Sequence, residues 1–140
     1  MIKLLSKLKS DMKNYYHNNS DEIKVIESNY FSSYKGHFVL RTNRKRSGSF
    51  GILFISRRVN KFRNSEDVVR HEYGHALQLK KMGIIKYTVF IGIPSLLNLG
   101  EGYYYDKPWE ITADILGGVR SRIHKENHIV KGNEYMKKWS

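Results

Sequence analysis

Five consecutive residues constrain this chain more than any others: His71-Glu72-Tyr73-Gly74-His75. They sit inside a stretch patterned for a helix. Asn64-Ser65 offers an N-cap, Glu66 and Asp67 put acids in the first turn, Lys80 and Lys81 put bases in the last, and Gly83 follows as a C′ residue. The apolar positions Val68, Val69, Tyr73, Ala76, Leu77, Leu79 and Met82 cover more than half the circumference, which predicts a central helix over about 65–82. Residues four apart lie one above the other on a helix face, so the imidazoles of His71 and His75 can converge on one zinc ion. Glu72, about 100° round the helix, falls beside the metal rather than among its ligands, where its carboxylate can take a proton from a water molecule. Chance yields roughly 0.015 HExxH matches in a chain of this composition. The plain alternative is two histidines at the margin of a core helix, held by ordinary hydrogen bonds. Gly74 costs a helix interior about 1 kcal/mol; it marks either a close approach by another element or a chance placement.

Length and composition narrow the setting. One domain is expected of 140 residues, and a chain of that size buries enough surface to hold a core without staples. There is no Cys, which removes disulfides, cysteine zinc fingers and thiol nucleophiles. Hydrophobic residues at 40% and aromatics at 13% exclude a disordered chain. The basic residues of Met1–Lys9 precede no unbroken apolar run, so no Sec-type signal is read and a cytoplasmic location, or delivery without such a signal, is expected. The longest apolar segment, Ile84 to Leu99, is interrupted by Lys86 and Pro94. It falls short of the roughly 20 residues of a membrane span and reads as a buried segment, with membrane-surface contact as the lesser reading.

The organisation predicted is one α+β domain over residues 1–140. Residues 1–27 form a helical N-terminal segment, with Ile2, Leu5, Leu8 and Met12 at spacings of three and four and a break at Asn18-Asn19-Ser20. Residues 36–58 read as an antiparallel β-hairpin: His37–Arg41 and Phe50–Ser56 are β-rich, and Asn43–Gly48 between them is turn-like. Residues 65–118 form the metal-site core. Within it Pro108 fits the first turn of a second helix, about 108–117, which Gly117-Gly118 end. A further amphipathic helix is expected around Val119–Ile129.

Two histidines do not complete a catalytic zinc site, which needs a third protein ligand and an open position. The residues after His75, Ala76-Leu77-Gln78-Leu79-Lys80-Lys81, exclude the metzincin extension. Downstream, Glu110 and Asp114 stand four apart on one predicted helix. One carboxylate can bind the metal while the other holds a ligand imidazole by its second nitrogen. Alternatively both are helix-surface carboxylates.

HExxH followed by a helix with Glu-x-x-x-Asp resembles the gluzincin branch of the zincin metallopeptidases. More narrowly, His71–Gln78, the run Gly92-Ile93-Pro94-Ser95-Leu96-Leu97 and Tyr103–Glu110 resemble small peptidase-like domains found at the C-termini of RHS-type polymorphic toxins. The resemblance covers about residues 48–118. It implies one zinc per chain, with His71, His75 and Glu110 as ligands, Glu72 as general base and Asp114 behind a histidine. It also implies a zincin-like fold: a small twisted, mostly antiparallel sheet, its edge strand lining the cleft, packed on the active-site helix and a second ligand-bearing helix. The implied activity is zinc metalloendopeptidase action on a protein or peptide substrate. A toxin effector of this kind would have a larger carrier protein and an immunity protein as partners. The oxyanion histidine of thermolysin-like enzymes has no matching position. His124, His128, Tyr103, Tyr104 and Tyr105 are the candidates for that role or for substrate contact.

One further feature stands outside the motif. From Ser28 to Ser65 there is no acid, against nine bases: Lys35, Arg41, Arg44, Lys45, Arg46, Arg57, Arg58, Lys61 and Arg63. Such a field attracts nucleic acid, anionic membrane or acidic protein. No nucleic-acid motif accompanies it, so a solvated hairpin or steering of an acidic substrate is the nearer reading. A non-catalytic basic module binding nucleic acid or an anionic membrane surface is the alternative function.

Overall fold

Two turns with positive φ set the sheet. The computed structural model describes residues 2–8, 20–60, 64–100 and 102–139. Lys35 and Gly36, at φ 47° and 82°, close a tight turn between β1 (Phe31–Tyr34) and β2 (His37–Thr42), which pair antiparallel. Gly51, at φ 82°, turns the chain between β3 (Gly48–Ser49) and β4 (Leu53–Ser56), also antiparallel. The two hairpins join through β2 and β4, which run parallel with Val39 opposite Leu53 and Arg41 opposite Ile55. The sheet is therefore mixed, in the order β1-β2-β4-β3. This corrects the single antiparallel hairpin expected over 36–58. The tight turns fall at Gly36 and Gly51, not at Asn43–Gly48, so the two β-rich segments become parallel neighbours and Phe31–Tyr34 becomes a strand of its own.

One face of the sheet carries the first core. Val39, Leu53 and Ile55 point inward with Tyr34 and pack on α2 (Asp21–Glu27), through Ile23, Val25 and Ile26, and on Val69 and Ala76 of α3 (Ser65–Met82). The hydroxyl of Ser20 caps α2 by accepting from the Ile23 N–H at 3.2 Å. Arg41 also points inward. Its guanidinium donates to the carbonyls of Val25, Ile26 and Ser28 at the C-terminal end of α2, and to those of Ile55, Ser56 and Val59. Its charge thus meets the negative end of a helix. Arg41 is a structural tie and not part of the positive surface. Lys35, Arg44, Lys45, Arg46, Arg57 and Arg58 are exposed, while Lys61 and Arg63 lie outside the described residues.

The remaining helices follow α3. Gly83 ends it, its N–H reaching the Leu79 carbonyl at 2.8 Å, and Asn64 precedes it at φ 68° without a side-chain cap bond. Next come α4 (Ile84–Tyr87), a π turn (Thr88–Gly92), α5 (Ile93–Leu96), a 3-10 turn (Tyr104–Asp106), α6 (Pro108–Gly117) and α7 (Glu126–Trp139). A second core joins Met82, Tyr87, Ile91, Trp109 and Met136. Of the N-terminal segment, residues 2–8 are helical (α1) and 9–19 lie outside the described residues. The helix expected around 119–129 starts later, at Glu126. The Asp67 carboxylate accepts from the Arg120 and Ser121 N–H groups at 3.1 and 2.8 Å and holds that backbone out of a helix. The segment Ile84–Leu99 is buried on one side only, at Tyr87, Ile91 and Pro94. No helix among the described residues is long and apolar enough to cross a membrane.

The packing that positions the site is between α3 and α6. They run antiparallel and touch backbone to backbone at two glycines. A Cβ on Gly74 would stand 1.8 Å from the Ala113 carbonyl oxygen, and one on Gly117 would stand 1.8 Å from that of Arg70. Gly74 is therefore the mark of a close approach. Its inward face is also more polar than the apolar pattern predicted: Asp67, Arg70, His71, Glu72, His75 and Gln78 of α3 are all buried, while Val68, Tyr73, Leu77 and Leu79 are only partly so. Gly74→Ala is expected to force the two helices apart and cost about 2–3 kcal/mol in chemical unfolding, with loss of metal binding measured on the same sample. Unchanged stability would show that the helices can part freely.

Candidate metal centre

The close α3–α6 contact stacks the polar side chains of the two helices as rungs. His71 and His75 are four apart on α3, and Asp114 and Glu110 are four apart on α6 in the opposite sense. The His71 Nδ1–H donates to Asp114 Oδ1 at 2.6 Å. The His75 Nδ1–H donates to Gln78 Oε1 at 2.7 Å. The Gln78 amide is oriented by its other end, which donates to the Trp109 carbonyl at 2.9 Å and to Thr112 Oγ1 at 2.7 Å. Both imidazoles therefore turn Nε2 toward one point between the helices.

Glu110 meets them there. Its Oε2 lies 2.8 Å from His71 Nε2 and 3.1 Å from His75 Nε2. The three residues are buried and offer ligand atoms all within 4.8 Å of one another, close enough to bind a metal ion. The hydrogen bonding favours a cation at that point. With Nδ1 carrying the proton in each ring, two Nε2 lone pairs and a carboxylate face one another, an arrangement that only a metal ion or extra protons relieve. His71 Nε2 has no hydrogen-bond partner despite its short approach to Glu110, and Glu72 Oε2, also buried, has none. The donor set fits a divalent metal with Glu72 left free beside it.

Electrostatics reflects the crowding. Burial disfavours the His71 imidazolium, but the bond to Asp114 and the Glu110 carboxylate close to Nε2 outweigh it and push its pKa up to about 10. His75 shifts up as well, against burial, through the charge of Glu110 and its bond to it. Burial pushes the Glu72 carboxyl up, with His71 and His75 opposing. Glu110 and Asp114 are held below the usual carboxylate range despite burial: Glu110 chiefly by His75 and His71, Asp114 by Arg122 and His71.

A second layer surrounds the centre. Arg122 grips Asp114 with two bonds, Nε to Oδ2 at 2.8 Å and Nη2 to Oδ1 at 2.7 Å, and lies 3.8 Å over the Tyr105 ring. His124 Nε2 donates to Asp114 Oδ2 at 2.7 Å, which makes it a partner of Asp114 and not of the metal point. Ser95 donates to Glu110 Oε1 and stands 2.9 Å from the Tyr104 hydroxyl. Tyr105 packs edge-on to the His71 ring at 5.7 Å. Tyr103 is 65% exposed, and His128 on α7 faces Asp106 at 4.0 Å; the fold keeps both away from the centre. Gln78, Ser95 and Arg122 carry no role in the sequence reading. Gln78 had a usable signal, its place three residues beyond His75 on the same face. Ser95 and Arg122 had none, since only the fold brings them in.

Glu72 opens on two pockets. One, of about 310 Å³, is lined by Lys45, Arg46, Val68, His71, Tyr105 and Arg122 among others. The other, of about 400 Å³, passes His75 along the edge strand β3 and is walled by Phe50, Phe54, Tyr87, Ile93 and Leu96. Tyr104 lines both. No protein-family model matches this chain, and neither curated proteins nor solved structures yield a match. The chemistry is therefore carried by the residues themselves.

Two measurements probe the centre. The imidazoles hold protons more tightly in the metal-free protein than free imidazole does, so metal and proton compete. Binding should tighten as pH rises. Calorimetric titration with a divalent metal at neutral pH, in buffers of different ionisation enthalpy, is expected to show release of about one proton or more per metal bound. Asp114→Ala should weaken metal binding about 10–100-fold and Glu110→Ala by more, measured by competition with a chromogenic chelator. If Glu110→Ala binds as tightly as the parent, Glu110 is not a ligand.

Proposed function

We propose that this protein is a zinc-dependent peptidase. The observation that carries the reading is the unpartnered Glu72 oxygen buried beside three converging ligand atoms. Two imidazoles and one carboxylate, with no thiolate, form the donor set of a catalytic zinc site that keeps a position open. When bound, zinc supplies a Lewis acid that polarises a peptide carbonyl and makes water acidic near neutral pH.

The chain's own residues do the rest. Glu72 takes the proton from the attacking water and delivers it to the leaving amine. Burial, by lifting its carboxyl from the usual range, makes it a better proton carrier than an exposed glutamate. Tyr104 stays protonated because burial raises its pKa, and its hydroxyl, which donates to Ser95 in the resting site and lies on the wall of both pockets, is the donor we assign to the developing oxyanion. Asp114, Gln78 and Ser95 hold His71, His75 and Glu110 in position. The resemblance to toxin-borne peptidase domains supports an effector role with a protein substrate, a carrier and an immunity partner. A purely basic binding module would have no use for Glu72: an unpartnered carboxyl buried in this way is costly unless it has work to do.

Purified protein is expected to carry about one zinc per chain. Glu72→Gln should keep the fold and the zinc while lowering turnover at least about 100-fold. A proteome-wide search for new peptide N-termini, parent against variant, is the measurement. Equal cleavage by both would remove Glu72 from the general-base role and the peptidase reading with it.

A further inference from the structure

The helical stretch that follows α3 is apolar on two faces, interrupted by Lys86, Thr88 and Ser95. Tyr87, Ile91 and Pro94 pack inward, the first two on the second core. The opposite face is formed by Ile85, Val89 and Ile93, four apart, and ends in Leu96 and Leu97; the wider π turn at Thr88–Gly92 keeps this spacing in line. That face is bare: Ile85 is 78% exposed, Leu96 77% and Leu97 61%, and Ile84 beside it 60%. A helix with two apolar faces normally has both covered, by protein or by lipid. Here protein encloses one half.

Charge identifies the other half. Lys80, Lys81 and Lys86 are exposed around the start of the ridge, and Arg44 and Arg46 share a groove with Leu96 at its end. Between Ser28 and Gly100 the chain has only three acids, Glu66, Asp67 and Glu72, and none is exposed. A protruding apolar ridge with cationic flanks, and no exposed acid in that stretch, suits an anionic surface. A second copy of a chain of net charge +12 is repelled. Ile85, Val89 and Leu97 project outward, as needed to enter the headgroup boundary of a bilayer, with lysine stems lying along the apolar surface.

We propose that residues 84–97 form a membrane-docking ridge that seats the protein on an anionic bilayer. The inference is independent of the peptidase reading. Ile93 and Leu96 belong both to the ridge and to the wall of the pocket beside His75, so docking holds the metal centre at the lipid surface.

The test is co-sedimentation of the purified protein with phosphatidylcholine vesicles, with and without phosphatidylglycerol, at physiological ionic strength. Binding is expected to the anionic vesicles and to be at least about tenfold weaker for Ile85→Ser/Leu96→Ser/Leu97→Ser. Circular dichroism checks that the variant folds. A second variant, Ile85→Trp, reads insertion as the difference from the parent, whose emission comes from Trp109 and Trp139: the added emission should shift to the blue on anionic vesicles and be quenched by brominated lipid. Parent-level binding by the triple variant, whether the bases or α1 then carry it, overturns the proposal. So does the absence of binding, an unshifted Ile85→Trp emission, or sedimentation showing that the ridge pairs two copies.

Discussion

Everything at the centre depends on how closely α3 and α6 approach. Two glycines, Gly74 and Gly117, let each helix press its backbone against the carbonyl of the other. Side chains that would otherwise be a helix diameter apart then meet as rungs: His71 with Asp114, His75 with Glu110, Gln78 with the Trp109 carbonyl. A methyl group at either glycine would exceed the available space. The helix propensity lost at Gly74 is the cost of bringing a carboxylate within reach of two imidazoles.

That geometry makes the interior of the helix pair unusually polar. Seven polar or charged residues of α3 are buried, and α6 contributes Glu110, Thr112 and Asp114. Buried polar groups are tolerable when each finds a partner, and most here do. The exceptions on the two helices are His71 Nε2, Glu72 Oε2 and Trp109 Nε1, and the first two lie beside Glu110, where the ligand atoms converge. Asp114 shows how such a network is stiffened. It accepts from His71, Arg122 and His124 together, so that one carboxylate orients a candidate ligand while being oriented from two other directions. The rest of the fold supports this unit. The sheet packs on α3 through Val69 and Ala76, and the second core packs at its C-terminal end around Met82.

Legibility in the sequence followed the range of the interactions. The helix carrying His71 and His75 was readable because its spacing, first-turn acids and closing glycine are local. So was the short helix after Pro108 with Glu110 and Asp114 on one face. The sheet order is not legible because strand pairing is non-local: β-rich composition marks a strand without naming its neighbour, and the turn-like residues 43–48 are more conspicuous than the positive-φ turns at Gly36 and Gly51. The start of the last helix is not legible, because nothing local reveals that Asp67, some fifty residues away, holds the backbone of Arg120 and Ser121. Arg41 reads as one more surface base until the fold places it beneath the end of α2.

The sequence alone determined the element that carries His71, Glu72 and His75 and the relative placement of those three side chains, because a helix fixes its own geometry over four residues. It also determined that Glu110 and Asp114 share a face. Only the tertiary structure decided which carboxylate stands between the imidazoles and which stands behind His71. It alone brought Gln78, Ser95 and Arg122 into service, separated Tyr104 from Tyr103, and left one side of residues 84–97 uncovered. Those outcomes depend on how far one helix sits from another and in which direction it runs. Distances between segments remote in the chain are set by packing at Gly74 and Gly117, which no periodicity along the chain encodes.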